Sequence, residues 1–489
     1  MRWGATAVSL LCAASLGAAS LDQQITELID TTPAARGAFL GIDIVDLSSG
    51  QTLYSRNADK LFVPASNAKL FTIALALSRL GPDHRFETRV LASAQPGSDG
   101  VIRGGLRLIG GGDPNLSGRG IPYSAGAATV DPLTAIEGLA DQIVQHGVHR
   151  VEGGIIGDDT WYVWEPYPAG WAVDDAQYDY GAPVSALSIN DNALTLTIRP
   201  GARVGDPAAL SLSPALEYYE IDNRVRTVAG GGEPQIASER EPGGRQVRLW
   251  GTLPLRAAAE SLSLAIDDPA EYAARALRQA LGERGVSVDG GVSARHRPAG
   301  QAWTAPAGVE LAWQGSAPLL EDLRITAKVS QNLHAELALR AVARKRDVNG
   351  SREAGLDEMK TFLTEIGIDP NSHEFHDGSG LARLDLVSPA AMLQLLRAMY
   401  TSPLRDDWMN LLPVGGQDGT LKARFADVPA LGRIRAKTGT LTHVSALSGY
   451  AQRKDGGWVA FSILVNNHNA RAGDVRALID RICTFIMEG

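Results

Sequence analysis

The stretch VPASNAKLFT, from Val63 to Thr72, decides the fold of this chain. It runs from a strand-like approach through a proline into residues that can continue as a helix. Positions i and i+3 lie on the same face of a helix, so the hydroxyl of Ser66 and the amine of Lys69 would lie side by side. Such a pair can act as a nucleophile and its base. The spacing alone is common, and by itself it favours two exposed helix residues.

The residues around this stretch predict a helix, two strands and a buried helix, in that order. Apolar positions from Leu21 to Ile29 form one helical face, and residues 41–45 and 51–55 are typical of a strand hairpin. The helix that carries Ser66 continues through apolar residues until Gly81.

The far end of the chain supplies complementary elements. Residues 434–440, 447–452 and 458–465 predict three strands, and apolar positions from Val475 to Ile482 predict a last helix. Two strands from the start and three from the end predict one antiparallel sheet with the terminal helices packed on it. The predicted fold is therefore α+β, with residues 21–84 and 305–489 forming a single domain.

Residues 85–304 differ from the two ends of the chain in amino-acid composition. They are rich in glycine and proline and contain short β-like runs such as Leu106–Ile109 and Ala193–Ile198. Short β-like runs separated by turn-forming residues predict a mostly β accessory region, inserted as two nested domains. The glycine runs lack the Lys-Ser/Thr ending of a phosphate-binding loop.

Composition restricts the possible partners. The chain has 489 residues, 44% of them hydrophobic and 21% charged, which is typical of a folded soluble protein. Its formal net charge of −9 argues against nucleic acid and anionic membrane surfaces as partners.

The first twenty residues predict a secretion signal. Arg2 precedes an apolar run, which is followed by small residues before Leu21. We therefore expect export of a mature chain without a transmembrane anchor, with Cys483 as its single cysteine and no internal disulfide. The last helix has one polar face, so docking on the sheet is favoured over membrane binding.

Two further motifs give the Ser66–Lys69 pair a context. Ser330-Gln331-Asn332 precedes an apolar helix, and Lys437-Thr438-Gly439-Thr440 lies on the predicted edge strand that faces the Ser66 helix. Their order matches the Ser-x-x-Lys, Ser-x-Asn and Lys-Thr-Gly set of penicillin-interacting enzymes. Three short motifs in the correct order are a strong signal.

Longer runs carry a closer resemblance. Five runs resemble the class C low-molecular-mass penicillin-binding proteins, the D-alanyl-D-alanine carboxypeptidase/endopeptidase family. They are LPVGGQDGTLKARF (412–425), AKTGTLTHVSALSGY (436–450), DGSGLAR (377–383), YGAPVSAL (180–187) and GDDTWY (157–162). This family also has extra domains between the serine helix and Ser-x-Asn.

The resemblance implies a serine peptidase of the bacterial cell wall. Its fold would be penicillin-recognising and β-lactamase-like, its substrates peptidoglycan stem peptides, and its location the periplasm or the wall. β-Lactam antibiotics would be covalent inhibitors. Neither a cofactor nor a metal is implied, and self-association into a homo-oligomer is left open.

Residue chemistry assigns roles within these motifs. Ser66 attacks a carbonyl once Lys69, as a free amine, takes its proton; burial and the nearby charge of Lys437 would lower the pKa of Lys69. Ser330 would relay a proton between Lys69 and the leaving amine, and Asn332 would orient Lys69 and hold the substrate amide. Lys437, with Thr438, Gly439 and Thr440 of the same motif, would bind the substrate's carboxylate. By resemblance, the backbone N–H groups of Ser66 and Thr440 would bind the oxyanion.

Asp159 and Arg383 fall where members of the family place polar residues near the substrate's diamino-acid side chain. Opposite charges would suit a zwitterionic group. The alternative interpretation is that Asp159 caps a turn and Arg383 makes a surface ion pair.

Other candidate sites are weaker. His373 and His376 have a metal-like spacing without an evident third ligand, and Gly378-Ser379-Gly380 is too short for a nucleophile elbow. Trp161, Trp164 and Trp171 could stack on a glycan, although core and hinge positions are favoured.

Two rival functions remain open. One is a β-lactamase or serine esterase on the same scaffold, which would need a second base to activate water for deacylation. The other is a non-catalytic wall-binding protein, whose function would lie in the inserted region.

Overall fold

A computed structural model describes residues 20–126, 130–347, 349–426 and 431–489. The predicted signal, residues 1–20, lies outside this range except for Ser20. Within the described part of the chain, no helix is both long and apolar enough to cross a membrane.

The first segment of the chain supplies two helices and two strands. They are α1 (Leu21–Thr31), β1 (Phe39–Asp46), β2 (Thr52–Arg56) and α2 (Lys69–Leu80). Ser20 caps α1 by accepting a hydrogen bond from the Gln23 N–H, and the Gln23 side chain accepts one in return from the Ser20 N–H. A short 3₁₀ turn, Ala65–Ala68, leads directly into α2.

The inserted region follows α2 and contains two helices and fourteen strands among its described residues. These are β3 (Glu87–Ala92), β4 (Val101–Ile102), β5 (Leu106–Ile109), α3 (Thr134–Gln145), β6 (Arg150–Val151), β7 (Ile155–Asp158), β8 (Ala193–Arg199), β9 (Ala209–Ser213), β10 (Glu220–Val228), β11 (Gln235–Arg240), β12 (Gln246–Pro254), β13 (Glu260–Ala265), α4 (Pro269–Glu283), β14 (Ser287–Val288), β15 (Val292–Arg295) and β16 (Val309–Gly315).

The last segment is mainly helical until its final three strands. Its elements are α5 (Leu319–Lys328), α6 (Asn332–Arg346), α7 (Arg352–Glu365), β17 (His373–Glu374), β18 (Leu386–Val387), α8 (Pro389–Thr401), α9 (Arg405–Leu411), β19 (Ile434–Leu441), β20 (Val444–Gln452), β21 (Trp458–Asn466) and α10 (Ala472–Glu488).

The two ends of the chain build one antiparallel sheet, which confirms the predicted fold class. Its strand order is β19-β20-β21-β1-β2, and Ile42 of β1 pairs with Ile463 of β21. Helices α1 and α10 cover one face with residues such as Ile25 and Ile479, and the buried apolar residues of α2 and α8 belong to the core on the other face. Strand β21 is buried on both sides except at Trp458, as a central strand between two helical layers should be.

The inserted region has its own core. Its largest sheet, β15-β7-β5-β3-β16, mixes parallel and antiparallel pairs and packs against α3 and α4. Three smaller three-stranded sheets complete it: β14-β6-β4, β13-β8-β9 and β10-β12-β11. Because β16 pairs with β3, this sheet reaches Gly315, beyond the predicted boundary at residue 304.

Candidate active site

The Ser66–Lys69 pair lies where the sequence predicts it, at the start of a buried helix. Ser66 occupies the 3₁₀ turn, and Lys69 is the first residue of α2. The Lys69 Nζ atom donates to the Ser66 Oγ at 3.0 Å, and the Lys69 side chain is fully buried. This is hydrogen-bond reach for a base and its nucleophile.

Two glycines allow the backbone of this turn to approach its neighbours closely. A Cβ atom at Gly380 would lie 1.9 Å from the carbonyl oxygen of Ala65, and one at Gly439 would lie 2.7 Å from that of Pro64. Neither space admits a side chain. The loop before β18 and the edge strand β19 therefore both press against the turn that carries Ser66.

Lys69 makes two further hydrogen bonds. Its Nζ atom donates to the Asn332 Oδ1 at 2.5 Å and to the carbonyl oxygen of Ser379 at 2.7 Å. Burial lowers the pKa of Lys69 to about 8, although nearby carboxyl groups act in the opposite direction. A useful fraction of Lys69 is therefore a free amine near neutral pH, which a general base requires.

Ser330 and Lys437 form the opposite side of the site. Lys437, fully buried on β19, donates from its Nζ atom to the Ser330 Oγ at 2.8 Å and to the Thr438 carbonyl oxygen at 2.9 Å. Burial and then the charge of Lys69 hold the pKa of Lys437 well below its usual value. Ser330 adopts a φ of 68°, in the left-handed region, just before α6 begins at Asn332.

The remaining motif residues also line this side. Thr438 donates from its Oγ1 to the Thr420 Oγ1 at 2.9 Å, and Thr440 is exposed. Gly439, between them, is buried against the Ser66 turn. Strand β19 thus presents hydroxyl groups beside the buried amine of Lys437, and a carboxylate bound there would favour the charged form of that amine.

Asp377 organises the loop that holds Lys69, a role that the sequence did not indicate. Its carboxylate accepts the backbone N–H groups of Ser379, Gly380 and Ala382 at 3.0, 2.6 and 2.7 Å. This fixes the direction of the Ser379 carbonyl, which accepts from Lys69. The run DGSGLAR was recognised through resemblance, and its Asp-Gly-Ser-Gly pattern is the signal of a side-chain-supported turn.

The inserted region contributes contacts that sequence motifs could not reveal. The Trp171 Nε1 donates to the Asp377 Oδ2 at 2.8 Å, and the carbonyl oxygen of Tyr180 accepts from the Asn332 Nδ2 at 2.7 Å. Gln331, the middle residue of Ser-x-Asn, donates to Asp191 at 3.0 Å. The insert therefore supports both the Lys69 loop and the Ser330 turn.

Trp161 and Trp164, the other two tryptophans considered for glycan stacking, pack within the inserted region and at its border. Trp164 stacks on His296 with ring centroids 4.0 Å apart, and Trp161 packs edge-to-face on Trp303. The guanidinium of Arg344 lies 3.9 Å from the Trp161 ring centroid. These contacts account for Trp161 and Trp164 as packing residues.

Asp159 and Arg383 do not join the hydrogen-bond network of Lys69 and Lys437. Asp159 is buried, and its carboxylate accepts from the His296 Nδ1 at 3.0 Å and from the Ser185 Oγ at 2.9 Å. Arg383 is exposed and donates weakly to the Thr442 carbonyl oxygen at 3.4 Å, just beyond β19. Their contact with a substrate side chain stays a prediction.

The histidine pair lies at and beside the short strand β17. His373 is buried in β17 and stacks on Phe375 with ring centroids 5.7 Å apart. Across the described ranges, no group of three or more His, Cys, Asp or Glu side chains is arranged to hold a metal ion.

Comparison with known proteins gives extensive matches. The family model described as "D-Ala-D-Ala carboxypeptidase 3 (S13) family" matches residues 21–485. A D-alanyl-D-alanine carboxypeptidase of Actinomadura sp. (strain R39) is 36% identical over 451 residues, which cover 90% of this chain and 80% of that protein. The D-alanyl-D-alanine carboxypeptidase DacB of Haemophilus influenzae is 25% identical over 479 residues, covering 97% and 92%.

Solved structures share the fold. Penicillin binding protein 4 (dacB) from Haemophilus influenzae superposes with a TM-score of 0.81 at 23% identity, covering 94% of this chain and 98% of that one. Bd3459, a predatory peptidoglycan endopeptidase from Bdellovibrio bacteriovorus, superposes with a TM-score of 0.50 at 16% identity, covering 92% of each chain. The resemblance to low-molecular-mass penicillin-binding proteins is confirmed, and the chain belongs to the D-Ala-D-Ala carboxypeptidase 3 (S13) family.

Proposed function

We propose that this chain is an exported serine D-Ala-D-Ala carboxypeptidase that trims peptidoglycan stem peptides through an acyl-enzyme on Ser66. One observation carries the proposal. Residues from three distant parts of the chain meet in one site, with Ser66 and Asn332 both bonded to Lys69 and Ser330 bonded to Lys437. This convergence supports acyl transfer by an activated serine.

In the first step, neutral Lys69 takes the proton of the Ser66 hydroxyl. The Ser66 Oγ bonds to the carbonyl carbon of the penultimate D-alanine, and the C–N bond to the terminal D-alanine then breaks. The 3.0 Å contact between the Lys69 Nζ and the Ser66 Oγ permits direct transfer of the proton.

The leaving amine takes its proton from the Ser330 hydroxyl. Lys437, rather than Lys69, is the hydrogen-bond donor to the Ser330 Oγ, so the lost proton is replaced from Lys437. Water then adds to the acyl carbon, and its proton passes to the Ser66 Oγ as the ester bond breaks. The two lysines regain their starting protonation by exchange with solvent.

Carboxylate recognition would select the position of cleavage. Lys437, Thr438 and Thr440 present one amine and two hydroxyls along β19. This suits the free carboxylate of a terminal D-alanine, because a bound carboxylate favours the charged form of the amine. A cross-link whose amine carbon also bears a carboxylate presents the same group. Cross-link endopeptidase activity is therefore included in the proposal.

Acylation by a labelled penicillin followed by intact-mass measurement tests the nucleophile. We expect a stoichiometric adduct on the folded protein and none on Ser66→Ala. Absence of a Ser66-dependent adduct would falsify the proposal. Product analysis on defined monomeric and cross-linked muropeptides then separates carboxypeptidase from endopeptidase activity.

The same experiments separate the rival functions. Fast penicillin turnover without release of D-alanine favours a β-lactamase or esterase. If Ser66→Ala retains the whole cellular phenotype, a non-catalytic wall-binding protein is favoured instead. Periplasmic location follows from the predicted signal, and fractionation of the expressing cell tests it directly.

A further inference from the structure

Glu336 is a buried carboxyl group that the proposed mechanism leaves without a role. It lies on α6 one turn after Asn332, so both side chains occupy the same face of the helix. Glu336 is completely buried, and its Oε1 accepts the backbone N–H of Gly378 at 2.9 Å. No hydrogen-bond partner reaches its Oε2 among the described residues.

Glu336 and Lys69 are linked through the same short segment of backbone. Gly378 bonds to Glu336, and the carbonyl of the next residue, Ser379, accepts from Lys69. Asn332, one turn before Glu336, also accepts from Lys69. The two groups therefore interact electrostatically across a dry interior, where a unit charge has a large effect.

The charged groups facing Glu336 come from three directions. Asp377, Asp385 and the Ser379 hydroxyl face it from the loop, and the Ser379 Oγ donates to Asp377. Lys69 faces it from α2, and Arg340 follows on its own helix. Arg340 is already paired with Glu165 of the inserted region.

These surroundings favour the protonated form of Glu336. Burial and the charge of Asp377 raise its pKa to about 8, against the opposing influence of the Ser379 hydroxyl and Arg340. An ionised carboxylate with a buried, unpartnered oxygen is far more costly than a neutral carboxyl group. The Asp377 carboxyl group, in contrast, accepts hydrogen bonds from three backbone N–H groups and the Trp171 indole.

We propose that Glu336 is a positioning residue that sets the protonation state of Lys69: in its protonated form it leaves Lys69 as a free amine, and in its ionised form it holds Lys69 as an ammonium ion. A single proton can then lie on either Glu336 or Lys69, which gives the site two arrangements. Only the arrangement with the proton on Glu336 contains the base that Ser66 needs. This inference rests on the proposed function, because it concerns the base of that reaction.

The test is the pH dependence of penicillin acylation in Glu336→Gln. Glutamine keeps the oxygen that accepts from Gly378 but cannot ionise. In the unmodified protein, Glu336 that ionises as the pH approaches about 8 returns Lys69 to its charged form and delays the appearance of the free amine. Because glutamine cannot form this arrangement, the acid limb of the acylation rate should be complete at lower pH in Glu336→Gln, by roughly one unit. The Ser66-dependent adduct should still form at high pH in both proteins.

Glu358→Gln is the matched control. Glu358 pairs with Arg79 and Arg346 and is absent from the groups that influence Lys69, so its loss should leave the acid limb unmoved. An unmoved limb in Glu336→Gln, or a shift to higher pH, overturns the inference. If wild-type protein forms no adduct at all, the proposed function fails instead, so the two failures are distinguishable.

Infrared spectroscopy keeps the inference testable if Glu336→Gln does not fold. The unmodified protein at about pH 7 should show the C=O stretch of a protonated buried carboxyl group. A component of that band should disappear as the pH rises through about 8. Because Asp385, a second buried carboxyl group with a raised pKa, contributes to the same band, a wild-type spectrum in which no component is lost near pH 8 overturns the inference.

Discussion

Lys69 and Lys437 are both fully buried lysines in one site, but their surroundings differ. The Lys69 side contains three carboxyl groups, from Asp377, Glu336 and Asp385, that favour its charged form. On the Lys437 side, Lys69 is the one charge among the described residues that shifts the pKa of Lys437, and it acts with burial. Within the part of the chain that the structure describes, carboxyl groups therefore adjoin Lys69 but not Lys437.

This difference explains how one residue type performs two tasks. Lys69 can exchange its proton within the protein, which suits a base that must be neutral in one step and charged in the next. Among the described residues, Lys437 donates to Ser330 and to a backbone carbonyl but to no carboxylate, so the substrate's carboxylate would be a suitable partner. Four predictions test the contrast.

The largest expected effect is that of Lys69→Met. Methionine preserves much of the buried volume but cannot accept the Ser66 proton, so penicillin acylation should slow by roughly 10²–10⁴-fold. Stopped-flow or quench measurement of the second-order acylation rate gives the effect. Thermal unfolding of the same samples controls for stability. A loss no larger than that of Lys437→Met contradicts the assignment of Lys69 as the base.

Lys437→Met should cost less, and the cost should depend on the substrate. A hydrogen bond to a charged group contributes about 1.5–3 kcal/mol, so kcat/KM for a free-carboxylate peptide should fall roughly 10- to 150-fold. With a C-terminally amidated peptide the loss should be several-fold smaller, because the carboxylate is absent and only the supply of the Ser330 proton is affected. An equal loss on both peptides would show that Lys437 acts on proton transfer alone and has no part in carboxylate recognition.

The sequence could predict the parts of the site that side chains define. Ser66, Lys69, Ser330 and Lys437 lie in motifs whose residue types carry the chemistry, and the strands around them have simple periodicity. The carbonyl groups of Ser379 and Tyr180 could not be predicted, because every residue has a carbonyl and only the fold directs it. Glu336 was equally hidden, since a glutamate on a helix is usually exposed.

The fold shows the same division. The five-stranded antiparallel sheet was predictable because its strands are long and bounded by turns. In the insert, β5, β7 and β15 are four residues each and pair in parallel across long intervals of sequence. Such pairs need crossover connections, and their partners cannot be recognised from local pattern. The helices α3 and α4, which cover this sheet, were likewise not identified.

Trp171→Phe should have a moderate effect confined to the Lys69 side. It removes the indole N–H from Asp377, the residue that directs the Ser379 carbonyl toward Lys69. Loss of one such bond costs about 1–1.5 kcal/mol, so acylation should slow roughly five- to tenfold. The ratio of activities on free and amidated peptides should stay unchanged. Trp164→Phe is the control, because Trp164 stacks on His296 away from Asp377; a similar slowing there would mean that the effect is one of general packing.

Arg383→Ala should have the smallest effect. It tests whether a residue between the Lys69 side and the Lys437 side of the site contributes to substrate selection. Arg383 extends from the loop that holds Lys69 toward Thr442, just beyond the strand that carries Lys437. The Arg383 guanidinium is exposed and weakly hydrogen-bonded, so a substrate carboxylate can pair with it without disturbing the fold. An exposed ion pair of this kind contributes about 0.2–1 kcal/mol to binding. KM should therefore rise roughly twofold to fivefold for stem peptides whose diamino acid carries a side-chain carboxylate, and stay constant for peptides that lack it. A rise on both peptide types, or a fall in penicillin acylation, would place Arg383 with the support of Lys69 rather than with substrate selection.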